Sequence, residues 1–170
     1  MNGVLQTERV VLRKFTPDDA PFIITLLNSP GWIQFIGDRG VKTTEDAVRY
    51  LLNGPLKSYE LNGYGLYLVE SKEHAASIGM CGLVKRENLE CPDIGFAFLP
   101  EYMGKGLAYE AAKAMLSFAR KELGLSLIYG ITLPDNRTSI RLLEKVGMKF
   151  NKTFKQINKE EELWLYSNSD

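Results

Sequence analysis

Leu99-Pro100-Glu101-Tyr102-Met103-Gly104-Lys105-Gly106-Leu107-Ala108-Tyr109-Glu110-Ala111 joins two different sequence patterns. The apolar run Ile94 to Leu99 leads into it and reads as a strand. Beyond it, Leu107/Ala108, Ala111/Ala112, Met115/Leu116, Ala119 and Leu123 recur at helical spacing. Glu110, Lys113, Arg120 and Lys121 fall on the other side of that helix, and Gly124 stops it. Strand, glycine-bearing turn, helix is a layout that binds phosphate. Glycines let backbone amides approach a ligand, and a helix N-terminus offers unpaired N–H groups and partial positive charge. Lys105 adds a formal charge. Short glycine motifs are common, so the same residues also fit an ordinary strand-to-helix turn.

Upstream, Val10 to Phe15 reads as a strand. Thr16-Pro17-Asp18-Asp19 then starts a helix with a capping threonine, a proline at the first position and acids at the positive end. Asn28-Ser29-Pro30-Gly31 stops it. Thr43-Thr44-Glu45-Asp46 starts a second helix, with Ala47, Val48, Leu51 and Leu52 as its apolar stripe, and Asn53-Gly54-Pro55 ends or bends it. Gly65 to Glu70 and Ala76 to Val84 read as strands joined by a polar hairpin, in which His74 is a solvated loop residue. Downstream, Leu127 to Leu133 is a buried strand. Asp135-Asn136 caps a short helix from Arg137 to Val146. Phe150 to Ile157 and Glu162 to Ser167 form a last strand pair.

This order makes an α/β domain, of α+β type, with a mixed sheet. No linker or repeat divides residues 1–170, so one domain is expected. Gly-x-Gly-x-x-Gly does not follow the first strand, and Gly-x-x-x-x-Gly-Lys-Ser/Thr is absent, so a doubly wound dinucleotide fold is excluded.

The 170 residues are 45% hydrophobic and 25% charged, with 21 basic and 21 acidic side chains. A zero net charge gives no support for nucleic acid as partner. No apolar run is long enough to cross a membrane, and the stretch Met1 to Arg9 has no apolar signal core, which points to the cytoplasm. Cys81 and Cys91 do not form a disulfide framework. With His74 as the one histidine, no metal site is expected.

The Met103–Ala108 turn and, some thirty residues on, Leu133-Pro134-Asp135-Asn136-Arg137-Thr138-Ser139-Ile140-Arg141-Leu142-Leu143-Glu144-Lys145-Val146-Gly147-Met148-Lys149-Phe150 together resemble the Gcn5-related N-acetyltransferase superfamily. Its branch of ribosomal-protein N-terminal acetyltransferases is most similar. The opening Thr7-Glu8-Arg9-Val10-Val11-Leu12-Arg13 and the strand start Asp93-Ile94-Gly95-Phe96 share that likeness, which covers Leu5 to Tyr166. The resemblance implies a mostly antiparallel sheet of six to seven strands with a splayed central pair, flanked by about four helices. It implies acetyl-CoA as co-substrate, lying in the splay, with no metal. Its pyrophosphate would sit on amides of Met103, Gly104, Lys105, Gly106, Leu107 and Ala108. Met103 stands where the superfamily has Gln or Arg, which main-chain recognition tolerates. The pantetheine arm would pair with the backbone at Phe96 and Phe98. Asn136 and Ser139 match cofactor-contacting positions, and also fit a helix cap and its first turn.

Acetyl transfer to an amine needs a base, a donor for the thioester oxygen and a proton for the thiolate. Asp93, where the resembling family often carries a glutamate, is the candidate base, acting through water because its side chain is short; it also fits a solvated strand-end carboxylate. Leu143 occupies the position of the superfamily's acidic tyrosine, which leaves Ser139 to protonate the thiolate, with Tyr102 and Tyr109 as weaker alternatives. Trp32, Phe35, Arg39 and Tyr64 are candidates for the acceptor site, the first three in a glycine-bounded loop from Gly31 to Gly40; packing explains Trp32 and Phe35 equally well. Arg13 fits either substrate contact or pairing within the sheet. The expected activity is acetyl-CoA-dependent N-acetylation of a primary amine, on a protein N-terminus or a small molecule, by direct transfer in a ternary complex. Homodimers are common in the resembling branch, and no membrane partner is expected. A non-catalytic acyl-CoA-binding module of the same fold is the alternative, and a small-nucleotide binder a more distant one.

Overall fold

The computed structural model describes residues 3–155 and 159–168. A short strand β1 (Gly3–Gln6) turns into β2 (Val10–Arg13). Thr16 caps a 3₁₀ turn at Pro17–Asp19 through a full capping box, and α1 (Ala20–Leu27) follows. Next come α2 (Pro30–Phe35) and α3 (Thr44–Leu51), the latter opened by a second capping box at Thr43 and Asp46. Leu52–Leu56 is a π-helical turn that accommodates Pro55, and α4 (Lys57–Asn62) continues from it to Gly63, whose φ of 79° closes the helix. Strands β3 (Leu66–Ser71), β4 (Ala76–Val84) and β5 (Asp93–Phe98) then form a meander. Helix α5 (Leu107–Lys121) crosses to β6 (Tyr129–Thr132), and α6 (Arg137–Lys145) precedes the hairpin β7 (Lys149–Lys155) and β8 (Glu162–Ser167).

The eight strands form one sheet in the order β1-β2-β3-β4-β5-β6-β8-β7. Neighbours are antiparallel except β5 and β6, which run parallel. One face packs on α5 through Val10, Leu12, Tyr67, Val69, Ile78, Cys81, Leu83, Ile94 and Phe98. Alternation sends Leu68 and Met80 to the other face, against α1, α2 and α3. On α5 the contact positions Ala111, Ala112 and Ala119 are small and wholly buried, so helix and sheet approach closely.

The mixed α/β architecture stands as the sequence predicts, with additions. The sheet has eight strands rather than six to seven, because β1 is a four-residue edge strand with only Val4 and Leu5 as apolar signal. Two short helices, α2 and α4, add to the expected four. Gly31 to Gly40 is not wholly a loop. Pro30 stands at the start of α2, where its fixed φ suits a first helical position, and the helix carries Trp32 inward. The break at Asn53–Pro55 is a bend rather than an end. The first strand stops at Arg13, and β6 begins at Tyr129 rather than Leu127. Strand β7 reaches Lys155, while Gln156 and Ile157, which the sequence also assigns to it, lie outside the described residues. Cys81 and Cys91 are both free, as expected. No helix among the described residues is long and apolar enough to cross a membrane.

Glycine holds the sheet together where β4 passes the start of β3. A Cβ on Gly82 would lie 2.1 Å from the Gly65 carbonyl oxygen and 2.7 Å from the Leu66 Cα. Both are backbone atoms and cannot swing aside. Gly82→Ala is therefore expected to lower stability by about 2 kcal/mol or more, read as a lower urea midpoint at unchanged slope.

Candidate functional site

The parallel ladder between β5 and β6 has only two rungs, Asp93 opposite Tyr129 and Ile94 opposite Gly130. Beyond them β5 continues to Phe98 and β6 to Thr132 without pairing, so the sheet forks. The Leu99 N–H donates to Ile78 on β4 at 2.9 Å, which fixes the odd-numbered peptide groups of β5 toward β4. By alternation, the backbone groups of Phe96 and Phe98 face the fork, where no strand takes them up.

Each prong ends at a helix N-terminus, and the two are finished differently. Asn136 caps α6, its side-chain oxygen accepting from the Ser139 N–H at 3.2 Å. Helix α5 has no side-chain cap. Its first intrahelical bond runs from the Glu110 N–H to the Gly106 carbonyl at 3.0 Å, which leaves the amides of Leu107, Ala108 and Tyr109 without helical partners. Gly104 and Gly106 hold φ angles of 75° and 79°, a left-handed conformation that turns the chain tightly into the helix. The Lys105 ammonium stands 5.8 Å from the Tyr102 ring centre. These glycines, the uncapped helix and the free edge of β5 fit a ligand with an anionic head and an amide-bearing arm.

Asp93 sits at the opposite, closed end of the fork, five residues before Phe98 and so about 17 Å away along the strand. It is not a solvated strand end. Its side chain is 2% exposed and paired with Arg86, Nε to Oδ1 at 2.8 Å. Burial raises its pKa above the usual carboxylate range, and the Arg86 charge and hydrogen bond pull it partly back. Alternation places Asp93 with Gly95 and Ala97 on the α1/α3 face. Tyr129, on the adjacent rung of β6, donates its hydroxyl proton to Glu90. That bond first, then burial, pushes the Tyr129 phenol up to about 12. Arg86, Glu90 and Tyr129 are additional residues of this end of the fork. Their roles depend on pairings across the sheet, and no local motif announces them.

Leu143 is 1% exposed and covers β6. A Cβ on Gly130 would meet its Cδ2 at 2.7 Å, so Leu143 fills the space that Gly130 leaves on β6. Ser139, half-buried in the first turn of α6, lies on the same helix. The four acceptor candidates do not share one surface. Trp32 is 6% exposed and packs with α1 and α3, its indole N–H without a partner among the described residues. Phe35 is half-buried, and Arg39 is exposed. Tyr64 packs in the α5-side cluster instead. Arg13 pairs within the fold: it grips Asp19 with Nη1 and Nη2 at 2.9 and 2.8 Å and Glu70 with Nε at 3.1 Å. His74 is exposed, in the turn between β3 and β4, as the sequence predicts.

Residues 9–149 match the family model of the acetyltransferase (GNAT) domain. The chain belongs to the GNAT acetyltransferase family. It is 31% identical to YkkB of Bacillus subtilis (strain 168), an uncharacterised protein, over 91% of this chain and 90% of that one. A GNAT-family acetyltransferase from Bacillus anthracis superposes with a TM-score of 0.78 at 27% identity, covering 96% of each chain. The ribosomal L7/L12 α-N-protein acetyltransferase RimL, solved in complex with coenzyme A, shares the fold with a TM-score of 0.83 over 99% of both chains, at 14% identity. The family makes this chain an acyltransferase.

The ion pair supplies a test of Asp93. If this carboxylate receives a proton in the reaction, activity rises with pH as it ionises. Arg86 holds its pKa down, so Arg86→Met should move the rising limb of kcat/KM to higher pH, and Asp93→Asn should remove that limb and lower kcat at neutral pH. A limb that stays in place in both variants transfers the role to another group, the Glu90–Tyr129 pair first.

Proposed function

We propose that the protein is an acetyl-CoA-dependent N-acetyltransferase that moves an acetyl group to a primary amine, by direct transfer in a ternary complex. The observation that carries this reading is the fork. One prong is a strand with free backbone groups, and it ends in an uncapped helix N-terminus behind two left-handed glycines. The α5 amides and the turn from Met103 to Ala108 hold the pyrophosphate. The backbone of Phe96 and Phe98 pairs with the pantetheine arm. Asn136 and Ser139 approach from the second prong.

The bound donor supplies an activated thioester, and the chain supplies proton transfer and position. The acceptor nitrogen forms the new C–N bond as the C–S bond breaks. Asp93 lies about 17 Å along the strand from Phe98, so it takes the proton that the nitrogen sheds through a chain of waters. A backbone N–H near Phe98 polarises the thioester oxygen, and the Ser139 hydroxyl donates to the departing sulfur. Direct transfer is favoured over an acetyl-cysteine route by the state of both thiols. Burial pushes Cys81 up to about 12 and, with the Glu90 and Asp93 charges, Cys91 up to about 11, so neither is a thiolate at neutral pH. RimL, the coenzyme A-bound neighbour of the same fold, acts on a protein N-terminus. A protein N-terminus and small amines are therefore both in the class of acceptors to test.

Thermal unfolding with acetyl-CoA, free CoA and ATP, followed by thiol release against a panel of amines and N-terminal peptides, decides the reading. CoA at about 100 times its Kd should raise stability by roughly 2.7 kcal/mol, or about 5–10 °C in Tm. Gly106→Trp should abolish the CoA shift while the protein stays folded. A CoA shift with no thiol release from any acceptor favours a non-catalytic acyl-CoA-binding module. No shift with CoA overturns the phosphate reading of the turn.

A further inference from the structure

The opening Thr7-Glu8-Arg9 lies about a hundred residues from the phosphate turn in sequence and against it in space. Arg9 Nη1 donates to the Lys105 carbonyl oxygen at 3.0 Å. Its Nη2 lies 3.3 Å from where a Cβ on Gly106 would stand. Its Nε and its backbone N–H each donate to Glu110, both at 2.9 Å, and the Thr7 hydroxyl donates to the same carboxylate. The Lys72 ammonium donates to the Thr7 carbonyl, and the Lys72 N–H to the Arg9 carbonyl at 2.9 Å, so the residue just after β3 holds this β1–β2 turn in place.

Glu110 sits in the first turn of α5. A carboxylate there stabilises the helix but opposes binding of an anion to the same N-terminus. It is also an acceptor close to the free amides of Leu107 to Tyr109. Here its oxygens are occupied by Thr7 and Arg9. Burial raises its pKa, but the hydrogen bonds from Thr7 and Arg9 outweigh this and leave it below the usual range, so it is ionised at neutral pH.

We propose that Arg9 is a positioning residue for the pyrophosphate of coenzyme A: it cancels the Glu110 charge, keeps that carboxylate off the α5 amides, and braces the turn through the Lys105 carbonyl. This rests on the acetyl-CoA reading above. The guanidinium is 46% exposed, so its charge acts at the mouth of the site and weakens with salt.

The test is a double-mutant cycle on CoA binding by calorimetry, with folding checked by circular dichroism. Arg9→Met should raise the Kd for CoA roughly tenfold, because it leaves an uncompensated carboxylate beside the phosphates. Removing that carboxylate as well, in Arg9→Met with Glu110→Gln, should recover at least a threefold part of the loss. A merely structural Arg9 would make the double variant no tighter than the single one. Arg9→Lys keeps the charge and should bind within about threefold of the wild type; it is the variant to read if Arg9→Met loses the fold. A Kd for Arg9→Met within twofold of the wild type, a double variant no tighter than the single, or a tenfold loss in Arg9→Lys overturns the proposal and leaves the acetyl-CoA reading intact. A wild-type protein that does not bind CoA overturns both.

Discussion

The architecture depends on β5 and β6 pairing over two residues and no more. A fully paired parallel ladder would use up the backbone groups of both strands. Stopping after Ile94 and Gly130 leaves the Phe96 and Phe98 peptide groups facing an opening inside the sheet, where buried polar groups ordinarily demand partners. A sheet interior with unused backbone donors and acceptors is a costly arrangement unless something completes it. The same divergence sends each prong into its own helix, so two N-termini converge on the open end from different directions.

The two helix N-termini divide the work. Asn136 satisfies the start of α6 internally by accepting from the Ser139 N–H. Helix α5 is left uncapped behind Gly104 and Gly106, and its amides are available to a ligand. Close packing secures both. The alanine face of α5 seats it against the sheet, and Leu143 fits into the space that Gly130 leaves on β6. The Leu143–Gly130 contact is thus one that holds α6 against β6.

Much of this is legible in the chain because its signals are local. The helical period after Gly106, the capping threonines and the turn glycines each act within a few residues, and the elements they mark appear where expected. The fork and the α5 amides follow from the turn and the family likeness. What the sequence hides is set by tertiary pairing. The β1 strand is too short to signal itself and exists because β2 offers it an edge. Trp32 fits a loop aromatic and a core residue equally well in sequence, and only α2, started by Pro30, places it in the core. Asp93 fits either a base or a solvated strand end in sequence, and only the fold shows it buried against Arg86. Arg9 and Glu110 are about a hundred residues apart, and no periodicity links them.

The carboxylates at the two ends of the fork show how one strand can serve two chemistries. Both are matched to an arginine, with opposite results. Asp93 is buried, and desolvation outweighs its partner, so its proton affinity rises. A raised proton affinity makes a carboxylate a stronger proton acceptor. Glu110 lies near the surface, and its hydrogen bonds outweigh burial, so its proton affinity falls and it stays ionised. An ionised group that is fully engaged can brace a phosphate site without exchanging protons with it. Burial decides between the two outcomes: Asp93 is 2% exposed at the paired end of the fork, and the Glu110 side chain is 21% exposed at the start of α5. The two-rung ladder therefore separates a buried, arginine-paired carboxylate from an open strand edge about 17 Å away along a single strand.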